Sequence, residues 1–242
     1  MWIDRILRLV YPHRCLSCGK VVRGRAAFCM DCAPHVPLLT DSKRLCKICS
    51  RPIGEGHFLC RDCLVRPRHF VCCFAAALYK GRLRRAIIRF KFRNQPHLYH
   101  GFSHLMLMCL AERKILPRFD FVIPAPLSKN RLAERGYNQA ELLAGPVARG
   151  LKVPLATDVI YKTRETPPQS SLPYHKRLKN LKNAFRVPDK SRVQGKRILL
   201  IDDVLTSGAT ADEISKTLLR AGAKEVYVAV ATVTQIDKQL GM

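Results

Sequence analysis

No apolar run in this chain of 242 residues approaches the roughly 18 that a membrane helix needs; Leu105 to Ala111, for one, is far too short. Membrane insertion is not expected. Acidic residues are scarce too: 18 Asp and Glu stand against 43 Lys and Arg, for a net charge of +25. Such an excess predicts attraction to nucleic acid or another polyanion but does not define a groove. Few aromatics interleave with the basic stretches, which weakens any reading based on stacking of single-stranded bases. The N-terminus mixes Asp4, Arg5 and Arg8 among its apolar residues and lacks a small-residue cleavage site, so a cytoplasmic protein is expected rather than a secreted one. The apolar side of that short amphipathic segment, Trp2 to Val10, is expected to dock on the body of the protein.

The basic excess is uneven. Residues 198–242 carry 4 basic and 6 acidic groups, so the surplus lies upstream. Within this acidic part, Arg197 to Thr210 reads R-I-L-L-I-D-D-V-L-T-S-G-A-T. Ile198 to Ile201 suits a strand buried on both faces of a parallel sheet. Asp202 and Asp203 end the run, and Thr206, Ser207, Gly208, Ala209 and Thr210 lead into a helical pattern with Ile214, Leu218 and Leu219 on one face. Gly222 stands where a left-handed residue would close that helix. A second apolar run follows at Val226 to Val233, giving strand, loop, helix, strand.

No Gly-Lys precedes a hydroxyl in this loop, which excludes a P-loop, and its single glycine excludes a dinucleotide fingerprint. Helix N-termini hold phosphate through unpaired N–H groups and the helix dipole. The hydroxyls add donors, and Gly208 lets the backbone come close. Two carboxylates would repel that phosphate unless they face neutral hydroxyls or a metal ion. A ligand with phosphate at one end and a diol in the middle, such as a ribose 5-phosphate, satisfies both halves. The segment resembles the phosphoribosyl pyrophosphate (PRPP) motif of type I phosphoribosyltransferases.

Eight of the eleven cysteines form four C-x-x-C pairs: Cys15/Cys18, Cys29/Cys32, Cys46/Cys49 and Cys60/Cys63. Ten residues separate the first two pairs and ten the last two. Two such knuckles supply the four thiolates of a tetrahedral Zn²⁺. Sequential pairing closes the shorter loops and so costs less entropy; interleaved pairing is the alternative. A reducing compartment argues against disulfides. With four thiolate ligands no open position remains, so the zinc is read as structural, and the sparse apolar residues between knuckles make folding dependent on metal. Cys72, Cys73 and Cys109 read as small core residues, and His35, His57 and His69 as surface residues.

After a short linker at Arg66 to His69, Val71 to Tyr79 reads as the first strand of the main domain. Arg82 to Arg93 reads as a helix that buries Leu83, Ile87 and Phe90 and carries a ridge of Arg82, Arg85, Arg89 and Arg93. The ridge is either a solvated face or a contact for nucleic acid. A helix is expected over His97 to Leu116, a strand over Phe119 to Ile123, a basic turn over Lys129 to Arg135, then a helix kinked or ended at Pro146. Val159 to Lys162 reads as a short strand. Residues 163–183 are proline-rich and basic, as in a functional loop.

Across nearly its whole length the chain resembles the ComF family, which includes late-competence proteins of DNA uptake. The motifs are the paired knuckles, Tyr79-Lys80-Gly81 with Lys91-Phe92, Ile123 to Leu127, Arg135 to Gln139, the spaced set Arg164, Gln169, Leu172, Arg177 and Asn180, and Asp202 to Thr210. The resemblance implies an α/β fold: a type I phosphoribosyltransferase-like parallel sheet flanked by helices (residues 69–242) behind an N-terminal helix and double zinc ribbon (residues 1–68). It implies PRPP binding by Asp202, Asp203, Val204, Thr206, Ser207, Gly208, Ala209 and Thr210, with the two acids catalytic if the protein turns over. Lys91, Arg135, Arg164 and Arg177 are then candidates for the pyrophosphate or the closing loop, and Mg²⁺ would accompany PRPP. Competence or nucleotide salvage is the implied setting, with other competence proteins as partners. No base-reading element is recognisable, so a non-catalytic accessory that handles single-stranded DNA and uses PRPP as an effector is the alternative, beside a scaffold that acts only through protein partners.

Overall fold

The computed structural model describes residues 13–22, 24, 26–39, 44–113, 116–167 and 180–235. The N-terminal helix expected at Trp2 to Val10, and Gln169, Leu172 and Arg177 of the basic loop, lie outside these.

The described elements run α1 (Arg61–Val65), β1 (Cys73–Leu78), α2 (Gly81–Phe92), α3 (Tyr99–Ala111), β2 (Phe121–Pro124), α4 (Lys129–Arg135), α5 (Gln139–Leu151), β3 (Tyr161–Lys162), β4 (Phe185–Arg186), β5 (Arg197–Leu205), α6 (Ala209–Arg220) and β6 (Glu225–Val233). Four strands form a parallel sheet in the order β1-β6-β5-β2, and β3 pairs with β4 antiparallel as a separate ribbon. The apolar run of β5 sits at the sheet's centre and obeys a period of two. Ile198 and Leu200 pack toward Ile214 and Leu218 of α6, while Leu199 and Ile201 pack toward Leu83 and Phe90 of α2, Phe102 of α3 and Leu143 of α5.

Four expectations need correction. The basic stretch at Lys129 to Arg135 is a helix, α4, closed by Gly136 in the left-handed region (φ 78°). Helix α5 does not end at Pro146 but continues to Leu151. The lost N–H costs one backbone bond, and burial of Leu143, Ala144, Val147 and Ala148 on one face outweighs it. Asp202 and Asp203 do not terminate β5: Asp202 lies opposite Val230, and the strand runs on to Leu205, opposite Val233. Helix α3 also ends at Ala111, short of Leu116.

The outer edge of β1, away from β6, is occupied by the ribbon segment. Leu39 N–H donates to the Ala76 carbonyl (3.0 Å), Leu78 N–H to that of Pro37 (2.9 Å) and Cys73 N–H to that of Ile48 (2.7 Å). Ser50 Oγ donates to the Cys73 carbonyl.

Candidate functional site

β5 delivers its two acids to a tight turn that opens α6. Ser207 is buried, Gly208 adopts φ 76° as the residue before the helix, and Ala209 N–H donates to Ser207 Oγ at 3.4 Å. A side chain at Gly208 would be strained there, which is why glycine occupies the position. Beyond it, the unpaired amides of the first turn of α6 and the helix dipole offer an anion cradle. Thr206 and Thr210 flank it, half-buried.

The acids have different partners. Asp203 is buried and accepts the ammonium of Lys91, from the last turn of α2, at 2.7 Å. Asp202 is half-buried, and its Oδ1 accepts the Asp203 N–H at 2.8 Å. Burial, and then the neighbouring Asp203 carboxylate, push the Asp202 carboxyl up to about 7; Lys91 opposes this. Lys91, expected at a pyrophosphate, is therefore held by the site's own acid.

Arg135 spends its guanidinium on Gln139 Oε1 and on the Phe92 ring, whose centroid lies 5.2 Å away. The rest of its motif ties three segments together. Tyr137 OH donates to the Phe90 carbonyl, Asn138 Nδ2 donates to the Ala125 carbonyl (3.1 Å), and Asn138 Oδ1 caps α5 by accepting Ala140 N–H (3.0 Å). Arg164 donates to the carbonyls of Asn180 (3.1 Å) and Lys182 (3.0 Å), so it pins the far end of the basic loop. Arg177 lies outside the described residues.

The cysteines gather as two tetrads, Cys15/Cys18/Cys29/Cys32 and Cys46/Cys49/Cys60/Cys63, each with its sulfurs within 4.8 Å of one another. Pairing is sequential. Tetrahedral zinc at about 2.3 Å from each sulfur sets sulfurs roughly 3.8 Å apart, and Cys18 to Cys29 (3.6 Å) and Cys49 to Cys60 (3.5 Å) fit that spacing. Four cysteine ligands leave no position for a substrate, so both sites suit structural zinc.

The linker at Arg66 to His69 is no simple spacer, and the basic ridge of α2 is not all solvated. Arg66 and Arg68 fold back onto Asp62, and His69 N–H donates to Asp212 of α6 at 2.7 Å. Arg51 donates through Nε to the Thr234 carbonyl (2.9 Å), through Nη2 to the Thr206 carbonyl, and through Nη1 to Asp62 (3.4 Å). On the other ribbon, Arg82 reaches Ser17 Oγ (3.3 Å) and Cys32 Sγ (3.3 Å), and Arg89 donates to the Leu16 carbonyl (2.7 Å). These contacts escape a reading for periodicity. The available signal was an arginine two residues past a zinc knuckle and an acid between two ligands.

A parallel sheet with an acid pair and an anion cradle at one strand's C-terminal end, behind two cysteine tetrads, defines a phosphoribosyltransferase-like domain joined to a double zinc ribbon. Family comparison agrees: the double zinc ribbon domain matches residues 6–64 and the phosphoribosyl transferase domain residues 138–239. The chain is 34% identical to DNA utilization protein YhgH of Escherichia coli O157:H7, covering 91% of this chain and 96% of that one. It is 30% identical to competence protein F of Haemophilus influenzae (90% and 96% covered) and 31% identical to competence protein ComFC of Bacillus subtilis (86% and 89%). The chain belongs to the ComF family. No helix among its described residues is long and apolar enough to cross a membrane.

Proposed function

We propose that this chain binds PRPP at the β5–α6 turn and serves the handling of incoming DNA or the salvage of its nucleotides, in the cytoplasm. Residues 69–242 form the ligand-binding domain, and residues 1–68 the zinc-bearing one. The observation that carries this reading is the step from Asp202 and Asp203 through a hydroxyl-rich turn, left-handed at Gly208, into the N-terminus of α6. The 5-phosphate takes the Thr206 to Thr210 cradle, and the two acids accept the ribose hydroxyls. With a carboxyl raised to about 7, Asp202 can accept from or donate to a sugar hydroxyl near neutrality. Lys91 stands beside the acids, where it can exchange Asp203 for the oxygens of a departing diphosphate. Mg²⁺ bound with PRPP would supply the charge that neutralises such a diphosphate beside Asp202 and Asp203. The setting comes from relatives named for DNA utilization and competence.

Isothermal titration of PRPP with Mg²⁺ into wild type, Asp202→Asn and Asp203→Asn tests the pocket; absence of wild-type binding would sink the reading. Pyrophosphate release across a panel of nucleobases then decides turnover. A second reading, in which PRPP is an effector and the protein handles single-stranded DNA, is favoured by the net charge of +25 and the exposed Arg84 and Arg85 on α2 and Arg93 just past its end. It predicts DNA affinity that falls steeply with salt. Other competence proteins are the partners either reading proposes.

A further inference from the structure

The two zinc ribbons repeat one pattern. After the first knuckle of each comes a residue with positive φ, Gly19 at 79° and Ser50 at 57°. The next residue's carbonyl closes the knuckle: Cys15 N–H donates to Lys20 and Cys46 N–H to Arg51, both at 2.8 Å. An acid stands between the cysteines of each second knuckle, Asp31 and Asp62. Lys20–Asp31 and Arg51–Asp62 are thus equivalent ion pairs.

Their surroundings differ. The Lys20–Asp31 side chains are 70% and 76% exposed, whereas those of Arg51 and Asp62 are 3% exposed each. An exposed pair contributes little. A buried pair persists only where its remaining donors and acceptors are satisfied. Arg51 satisfies its donors on both sides of a seam, with Cys49 Sγ (3.7 Å) and Asp62 on the ribbon side, and the carbonyls of Thr206 and Thr234 on the sheet side. Asp62 takes a further buried cation, Arg68, whose side chain also reaches the sulfur of Cys63. The Nη1 of Arg68 lies against Gly208, 3.3 Å from where a Cβ would stand.

We infer that the second zinc ribbon braces the anion loop, with Arg51 and Arg68 as positioning residues that shape Thr206 to Gly208 before any ligand arrives. The inference rests on the reading of that loop as the phosphate cradle. Four thiolates on Zn²⁺ keep a net negative charge, and together with Asp62 they form the counter-charge that holds two guanidiniums in a nearly dry seam. Only arginine supplies the fork that grips ribbon and loop together; lysine, the first ribbon's choice, is a single point donor.

The test uses the zinc-loaded full chain carrying Arg51→Lys, Arg68→Gln or, at the equivalent first-ribbon position, Lys20→Gln. Zinc per chain, hydrogen exchange of amides 205–214 without ligand, and calorimetric PRPP–Mg²⁺ affinity are measured. Arg51→Lys and Arg68→Gln are expected to accelerate exchange across 205–214 and to weaken PRPP binding by roughly 10–100-fold, while Lys20→Gln changes neither. Unchanged exchange in both second-ribbon variants overturns the brace, as does equal loosening by Lys20→Gln. If wild type binds no PRPP, the ligand assignment fails on its own, and the exchange contrast still decides the brace.

Discussion

Lys91 and Asp203 meet at 2.7 Å, the carboxylate almost wholly buried and the ammonium one-quarter exposed. Lys91→Met strands that carboxylate without its cation. We expect a loss of about 1–3 kcal/mol in urea denaturation, below the cost of breaking a fully buried pair because Lys91 is partly solvated. Adding Asp203→Asn should recover most of the loss. Additive single costs in the double-mutant cycle would show that the two do not interact.

Asp202 titrates in the opposite sense to a salt-bridged acid. Its carboxyl is raised from 3.8 to about 7, so the folded state holds a proton that the unfolded state has released. Its contribution to stability is therefore fullest below pH 4 and declines as pH rises toward about 7. Asp202→Asn should remove that decline and stabilise the protein at pH 8 by roughly 1–2 kcal/mol, discounted for its half-burial. Asparagine keeps an oxygen for the Asp203 N–H. Denaturation midpoints from pH 4 to 8 check this; a parallel pH profile in the variant would contradict it.

Gly208→Ala combines two costs, a positive φ of 76° and a methyl 3.3 Å from Arg68 Nη1. A destabilisation of about 1–2 kcal/mol is expected. PRPP affinity should fall with it, because the strain sits inside the proposed cradle. Differential scanning calorimetry beside the titration separates the two effects.

Gly101→Ala tests the first ribbon's seat. A Cβ there would stand 2.7 Å from the Cγ of Leu16, a fully buried residue between the first two zinc ligands. Overpacking of this kind costs roughly 1–3 kcal/mol. Thermal stability should drop while PRPP affinity holds, since this contact is on the α3 face, away from the Thr206–Gly208 turn. Equal damage to both would mean that the two ribbons are not independent supports.

The elements whose pattern is local were legible in the sequence. The period of β5, the buried stripe of α2 and the closing Gly222 (φ 104°) follow from spacing alone, and spacing also marks the four knuckles, though the structure was needed to choose sequential over interleaved pairing. What escaped depends on contacts distant in the chain. The acids stay within β5 because β6 supplies hydrogen-bond partners as far as Leu205. Pro146 is tolerated because tertiary packing holds α5 on either side of it. Arg51 meets Thr206 across 155 residues, and Lys91 on α2 meets Asp203 on β5, so no local periodicity could have paired them. Arg82 and Arg89 look like a solvated ridge until the first ribbon is placed beside them.

The ribbon segment that lines β1 also works as a guard rail. With Pro37, Leu39 and Ile48 in place, the outermost strand presents no bare row of amides and carbonyls to a passing neighbour. A chain cut back to residues 69–242 would bare that border and invite another copy to zip onto it. Metal removal, which would loosen the cysteine modules, is therefore expected to expose that border and to show first as association between copies.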